Sequence, residues 1–211
     1  MPTFEQARRW YAAADVVHDF EHVERVYHMA ERLALAEGAD LEIVHAAALL
    51  HDAEGTTPGG EARHDHHLSS ADFAARVLLE EGWPAEKIAA VQHCIRAHRF
   101  RDDREPPATI EAKVLFDADK LDVLGAIGAA RTIAYAVLAG EPIYAEPSER
   151  FRRTGEKEPC EPHSAYHEYI FKLCKIKERL FTATARRRAE ERDAYLAEFF
   201  IQLGAEVKGE R

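Results

Sequence analysis

No apolar run in this chain approaches the roughly 18–20 residues that span a bilayer, so a transmembrane anchor is not expected. The start, Met1-Pro2-Thr3-Phe4-Glu5, lacks the basic-then-apolar order of a signal peptide, and a cytoplasmic location is expected. Cysteine is scarce: Cys94, Cys160 and Cys174 form no CxxC pair and are odd in number, which fits reduced thiols and not a disulfide framework. Positive charge is also short. The formal net charge of −10 argues against a broad grip on a nucleic-acid polymer, although a metal and a few local cations can still hold a small phosphate-bearing ligand. Missing too are a P-loop, a dinucleotide fingerprint, an internal repeat, an alternating strand pattern and a Ser/Gly/Pro-rich linker. One domain over residues 1–211 is therefore expected.

Helical periodicity is what the chain does have. A first helix is expected over Thr3–Ala14. A second begins behind Asp19, where Val23, Val26, Tyr27, Ala30, Leu33 and Ala34 follow the three-four spacing of one buried face, and Glu37-Gly38 ends it. Asp40 should cap a third, whose face runs through Leu41, Val44 and Ala48 to the vicinal pair His51-Asp52. Gly55–Gly60 reads as a mobile loop. Further helices are expected over Ser69–Glu81, stopped by Gly82 before Pro84, and over Ala85–His98. After a loop at Arg101–Pro107, a long helix capped by Thr109 should run through about Ala139. Gly140–Pro162, with Pro142, Pro147, Pro159 and Pro162, is the longest irregular stretch and a candidate lid. Closing helices are expected over Ala165–Thr182 and Ala185–Leu203. The fold is all-α.

His22, His51, Asp52 and an aspartate of Asp117-Ala118-Asp119 can make an open nitrogen/oxygen site for a divalent ion. His51 and Asp52 point about 100° apart on a regular helix, so both reach one ion only at a helix end. Two hard carboxylates suit Mn²⁺, Mg²⁺, Fe²⁺, Co²⁺ or Ni²⁺ better than a structural zinc, and manganese is preferred. Asp117 and Asp119, two apart on a helix, face opposite ways, so only one can serve. Arg25 shares the face of His22, and Lys120 adjoins Asp119. Both are candidates for neutralising phosphate.

Three blocks then carry a resemblance: Asp19-Phe20-Glu21-His22-Val23-Glu24-Arg25-Val26, Ala46-Ala47-Ala48-Leu49-Leu50-His51-Asp52, and Asp117-Ala118-Asp119-Lys120-Leu121-Asp122 with Leu124–Arg131. They resemble the HD-domain phosphohydrolases, in a bacterial branch with some nucleoside-triphosphate-cleaving members, over about residues 15–203. The resemblance implies a helical HD-domain bundle with a metal site between helices, and His22, His51, Asp52 and Asp119 as ligands. Asp117 would then lie behind the ion site or on the surface. His67 and His98 fall where dinuclear relatives hold a second ion. In this single-metal branch they would instead line the cavity, binding phosphate or moving protons. Asp52, Arg25, Lys120 and His98 are the catalytic candidates, and Arg131 and Lys172 join Arg25, Lys120, His67 and His98 as phosphate-binding candidates. His64 and His66 are set aside as polar loop residues, His45 and His93 as packing or surface residues. A family histidine before Lys172-Leu173 is replaced by Glu168, with His167 one residue earlier, which leaves His167 without an assigned role. Glu54 either assists water or solvates its loop.

The expected activity is metal-dependent hydrolysis of a phosphoanhydride or phosphoester, a (deoxy)nucleoside triphosphate being the favoured substrate. The alternatives are a phosphodiesterase, a guanosine-tetraphosphate hydrolase, or a sensor that binds metal or nucleotide without turnover. A homodimer is left open, with the Leu124–Ala139 segment expected to serve as core.

Overall fold

The computed structural model describes residues 1–11, 20–54, 65–99 and 105–211. The Asp19 cap, the Gly55–Gly60 loop, His64 and residues 101–104 lie outside them, as does the end of the first expected helix. Among the described residues every regular element is helical: α1 (Phe4–Trp10), α2 (Phe20–Glu37), α3 (Leu41–Leu50), α4 (His66–Glu80), α5 (Ala85–Ala97), α6 (Ile110–Leu121), α7 (Gly125–Leu138), α8 (Glu149–Thr154), α9 (Ala165–Phe171), a 3-10 segment (Leu173–Arg179) and α10 (Ala183–Val207). None of these helices alone is long and apolar enough to cross a membrane. The chain groups into two compact units: residues 1–119 with 181–185, and residues 120–180 with 186–211.

In the first unit α3 is the central helix, packing against α1, α2, α4 and α5. Its run Ala46-Ala47-Ala48-Leu49-Leu50 is wholly buried, which explains why it is apolar all round. Asp40 starts it as expected, its carboxylate accepting from the backbone N–H of Glu42 at 2.9 Å. Upstream, Gly38 ends α2 at φ 74°, and its N–H and that of Ala39 both donate to Ala34 O. Of the two places expected for Asp117, the surface is excluded. The residue is fully buried, and its carboxylate accepts from Phe181 N (2.9 Å), Thr182 N (2.7 Å) and Thr182 Oγ1 (2.7 Å). Thr182 Oγ1 in turn accepts from Ala185 N, so Asp117 anchors the residue that caps α10.

The long helix expected from Thr109 to Ala139 is two helices. In the second unit, the chain past α6 tightens, with Val123 N donating to Lys120 O and Leu124 N to Leu121 O, before Leu124 turns extended. Arg192 Nη1 also donates to Leu121 O at 2.5 Å. Gly128 then sits directly over Val123, where a Cβ would stand 2.3 Å from the Val123 carbonyl oxygen. The Gly/Ala run does admit a close backbone, and that backbone belongs to the preceding turn.

The Gly140–Pro162 stretch is not structureless. It contains α8 and is tied to α9 through Glu161, whose carboxylate accepts from Ser148 N and Oγ (both 2.7 Å), from Glu158 N (2.6 Å) and from His167 Nε2 (3.1 Å). His167 is fully buried, and its Nδ1 accepts from Ser164 Oγ at 2.7 Å. Burial holds this imidazole below its ordinary pKa, although Glu161 pulls the other way. The neutral ring already satisfies both partners, and a second proton would meet the Ser164 hydroxyl. The contribution of His167 to stability is therefore full above the unfolded value of about 6.5 and is lost as pH falls below it toward the lowered native value. Thermal melts of the parent should drop more between about pH 7 and pH 5 than those of His167→Gln. Equal slopes would remove His167 from that role.

Candidate metal centre

The end of α3 supplies the first half of the centre. Its last carbonyls need partners, and three different groups provide them. Tyr11 Oη donates to Leu49 O at 3.1 Å, Ala53 N donates to Leu50 O at 3.3 Å, and His51, the C-cap residue, places Nδ1 2.8 Å from Ala48 O. The last contact requires the proton on Nδ1, leaving Nε2 of His51 as a bare lone pair. The end of α5 repeats this device. His98 caps that helix with Nδ1 2.5 Å from Ile95 O, and its Nε2 is likewise unprotonated in the neutral ring.

These lone pairs point at other acceptors. His51 Nε2 lies 3.4 Å from His22 Nε2 and 3.6 Å from Asp52 Oδ2, and His22 Nε2 lies 3.4 Å from Asp119 Oδ1. Asp52 Oδ1 stands 3.4 Å from His98 Nε2 and 3.3 Å from His66 Nε2, is buried, and among the described residues accepts no hydrogen bond. Ligand atoms of His22, His51 and Asp119 lie within 4.8 Å of one another, as do those of Asp52, His66 and His98. His22, His51, Asp52 and His98 are each 5 % exposed or less. Burial pushes the His51 imidazole down to about 4, with His98 and His22 adding to the effect against Asp52 and Asp119. Burial alone would raise the Asp52 carboxyl, but His51, His66 and His98 hold it well below the usual carboxylate range. With its imidazole pushed down to about 4, His51 is neutral at neutral pH, the state in which its Nε2 can bind a divalent cation. Bare nitrogen and oxygen lone pairs this close, away from water, fit a cation between them.

Of the expected ligands, His22 in the first turn of α2, His51 and Asp119 come together, and Asp52 joins them through His51. Asp119 sits in the last turn of α6, not mid-helix. His98 lies against Asp52. His67 is buried but stands outside both groups, whereas His66, set aside from sequence, belongs to the second. The helix starts one turn earlier than expected. The buried face Ser70, Ala71, Ala74, Leu78 extends back at the same spacing to His67, a signal that would have placed His66 on α4. Arg25, one turn beyond His22, lies 4.0 Å from Glu21. Lys120 is buried at the start of the second unit. Arg131 pairs with Asp122 at 2.5 Å, and Lys172 with Glu168 at 2.7 Å, both within the second unit. Glu54 is held by its backbone, whose N–H donates to Ser70 Oγ and whose carbonyl accepts from it.

The HD domain family model matches residues 19–124. YpgQ of Bacillus subtilis is 32% identical over 97% of this chain and 94% of its own. Its crystal structure in complex with ADP superposes with a TM-score of 0.75, covering 98% of this chain and 99% of that one at 31% identity. An HD-superfamily hydrolase from Bacillus thuringiensis superposes with a TM-score of 0.72 at 28% identity, covering 97% and 94% of the two chains. The chain belongs to the HD domain family and is a hydrolase of that superfamily.

Proposed function

We propose that this chain is a metal-dependent phosphohydrolase of nucleotides, with a (deoxy)nucleoside triphosphate as substrate and manganese as the preferred ion. The observation that carries the reading is the fixed tautomer of His51 and His98, each aiming a bare Nε2 at the Asp52 carboxylate in a buried centre. The nucleotide assignment draws support from the relative crystallised with ADP.

His22, His51, Asp52 and Asp119 would hold the ion. When bound, a divalent ion supplies positive charge that acidifies water and polarises a phosphoryl oxygen. The protein groups do the rest. Nδ1–H bonds to Ala48 O and Ile95 O keep the two rings from rotating away. Asp52 Oδ1, which accepts no hydrogen bond among the described residues, is available to orient the attacking water. His98 Nε2, 3.4 Å from that oxygen, is available to receive the proton released. Arg25 and Lys120 are the cations placed next to ligands in the chain, and they would neutralise the phosphate chain.

A panel of nucleotides with Mn²⁺, Co²⁺ and Mg²⁺, read by phosphorus NMR, tests the proposal. Release of pyrophosphate or phosphate from a nucleoside triphosphate with Mn²⁺, abolished by chelator, is expected. Turnover of generic phosphomonoesters alone would overturn the nucleotide assignment. Products of diester or tetraphosphate cleavage would favour the phosphodiesterase or guanosine-tetraphosphate alternatives.

A further inference from the structure

Beside the ligand group stands a cation that no reading of the sequence singled out. Arg99 directly follows His98 beyond the end of α5, and its Nη1 lies 3.3 Å from Nδ1 of His67. A guanidinium only donates, so Nδ1 must accept, and the single proton of the neutral His67 ring sits on Nε2. That is the opposite tautomer to His51 and His98, whose Nδ1–H groups donate to backbone carbonyls. While Arg99 holds Nδ1, the Nε2 of His67 is a donor and not a metal ligand. The centre therefore contains two kinds of histidine: rings that offer lone pairs, and one ring that serves an arginine.

The neighbourhood and the charge balance say what that arginine is for. The ring of His67 lies 5.8 Å from that of His66, which lies 5.7 Å from that of His98, so the Arg99–His67 pair borders the Asp52 group. Arg96, one turn earlier on α5, is neutralised by the Glu105 carboxylate at 2.7 Å. Arg99, only partly exposed, meets the His67 ring, and among the described residues no carboxylate pairs with it. A guanidinium at the edge of a buried centre that none of the described carboxylates neutralises is stabilised when an anion arrives. Its planar fork of donors matches two oxygens of a phosphate.

We propose that Arg99, positioned by His67, is the residue that binds a phosphate group of the nucleotide, leaving the adjoining His/Asp centre to act on the reacting phosphorus. This rests on the nucleotide-hydrolase reading above, but the two can fail separately. The test is calorimetric binding of ADP, of inorganic pyrophosphate and, as a phosphate-free control, of adenosine to the Mn²⁺-loaded full chain. Arg99→Ala is compared with the parent, and the milder Arg99→Gln decides if alanine disturbs folding. Affinity for ADP and pyrophosphate should fall at least about tenfold, as expected for a lost charge-assisted hydrogen bond, with Mn²⁺ affinity unchanged and any adenosine binding unaltered. Parent-like ADP binding by the variants overturns the inference while leaving the hydrolase reading intact, and so does a parent that binds neither ADP nor pyrophosphate. Weakened binding in the variants of a parent that itself turns over no nucleotide would uphold the phosphate site and overturn the activity.

Discussion

Exchanging Asp52 for alanine is expected to abolish metal-dependent turnover, a fall of more than about 100-fold, since even partners one shell out from an ion cost up to that much. Asp52 is 5 % exposed, stands between His51 on one side and His66 and His98 on the other, and has an oxygen that accepts no hydrogen bond among the described residues. The same variant should lose the stabilisation that metal confers. An ion present at about 100 times its Kd raises the parent's stability by about 2.7 kcal/mol, and the variant should show little of this. Thermal melts with and without Mn²⁺, run beside turnover assays, check both expectations. A folded Asp52→Ala protein that keeps full activity, or gains as much from Mn²⁺ as the parent, would remove Asp52 from the centre.

Asp117→Ala should act on the fold instead. It strips the acceptor from Phe181 N, Thr182 N and Thr182 Oγ1, where Asp117 and Thr182 are both buried. Bonds to a buried carboxylate contribute more than neutral ones, and stranding the donors adds their desolvation, so a loss of about 3–5 kcal/mol is expected. Thr182 caps the start of α10 through Ala185 N, so the damage should reach that helix. Urea unfolding of the metal-free protein gives the measurement, and a loss under about 1 kcal/mol would show that water or a shifted backbone takes over the acceptor role. The pair Asp117 and Asp119 thus divides two tasks between opposite faces of α6. One fastens α10, and the other faces His22.

Why some of this was legible beforehand and some was not follows from where the information resides. The end of α2 and the start of α3 depend on local chemistry, the Gly38 turn and the Asp40 cap, and both were readable. So was the gathering of His22, His51 and Asp119, because three motif blocks resemble those of one family. The division of α6 from α7 was hidden, since Gly128 reads as one more small residue until Val123 is seen beneath it. Periodicity put Asp117 away from Asp119 but could not reveal the Phe181–Thr182 backbone that waits there, sixty residues downstream in the chain. Arg99 escaped because its pairing with His67 joins α4 to the end of α5, and Arg99 itself carries no motif.

Anomalous scattering at the manganese edge, from crystals grown with Mn²⁺, tests the central claim most directly. The account predicts one strong peak bonded by Nε2 of His22, Nε2 of His51 and the carboxylates of Asp52 and Asp119. Absence of a peak there, or His22 and Asp119 standing apart from the His51-Asp52 pair, would contradict it.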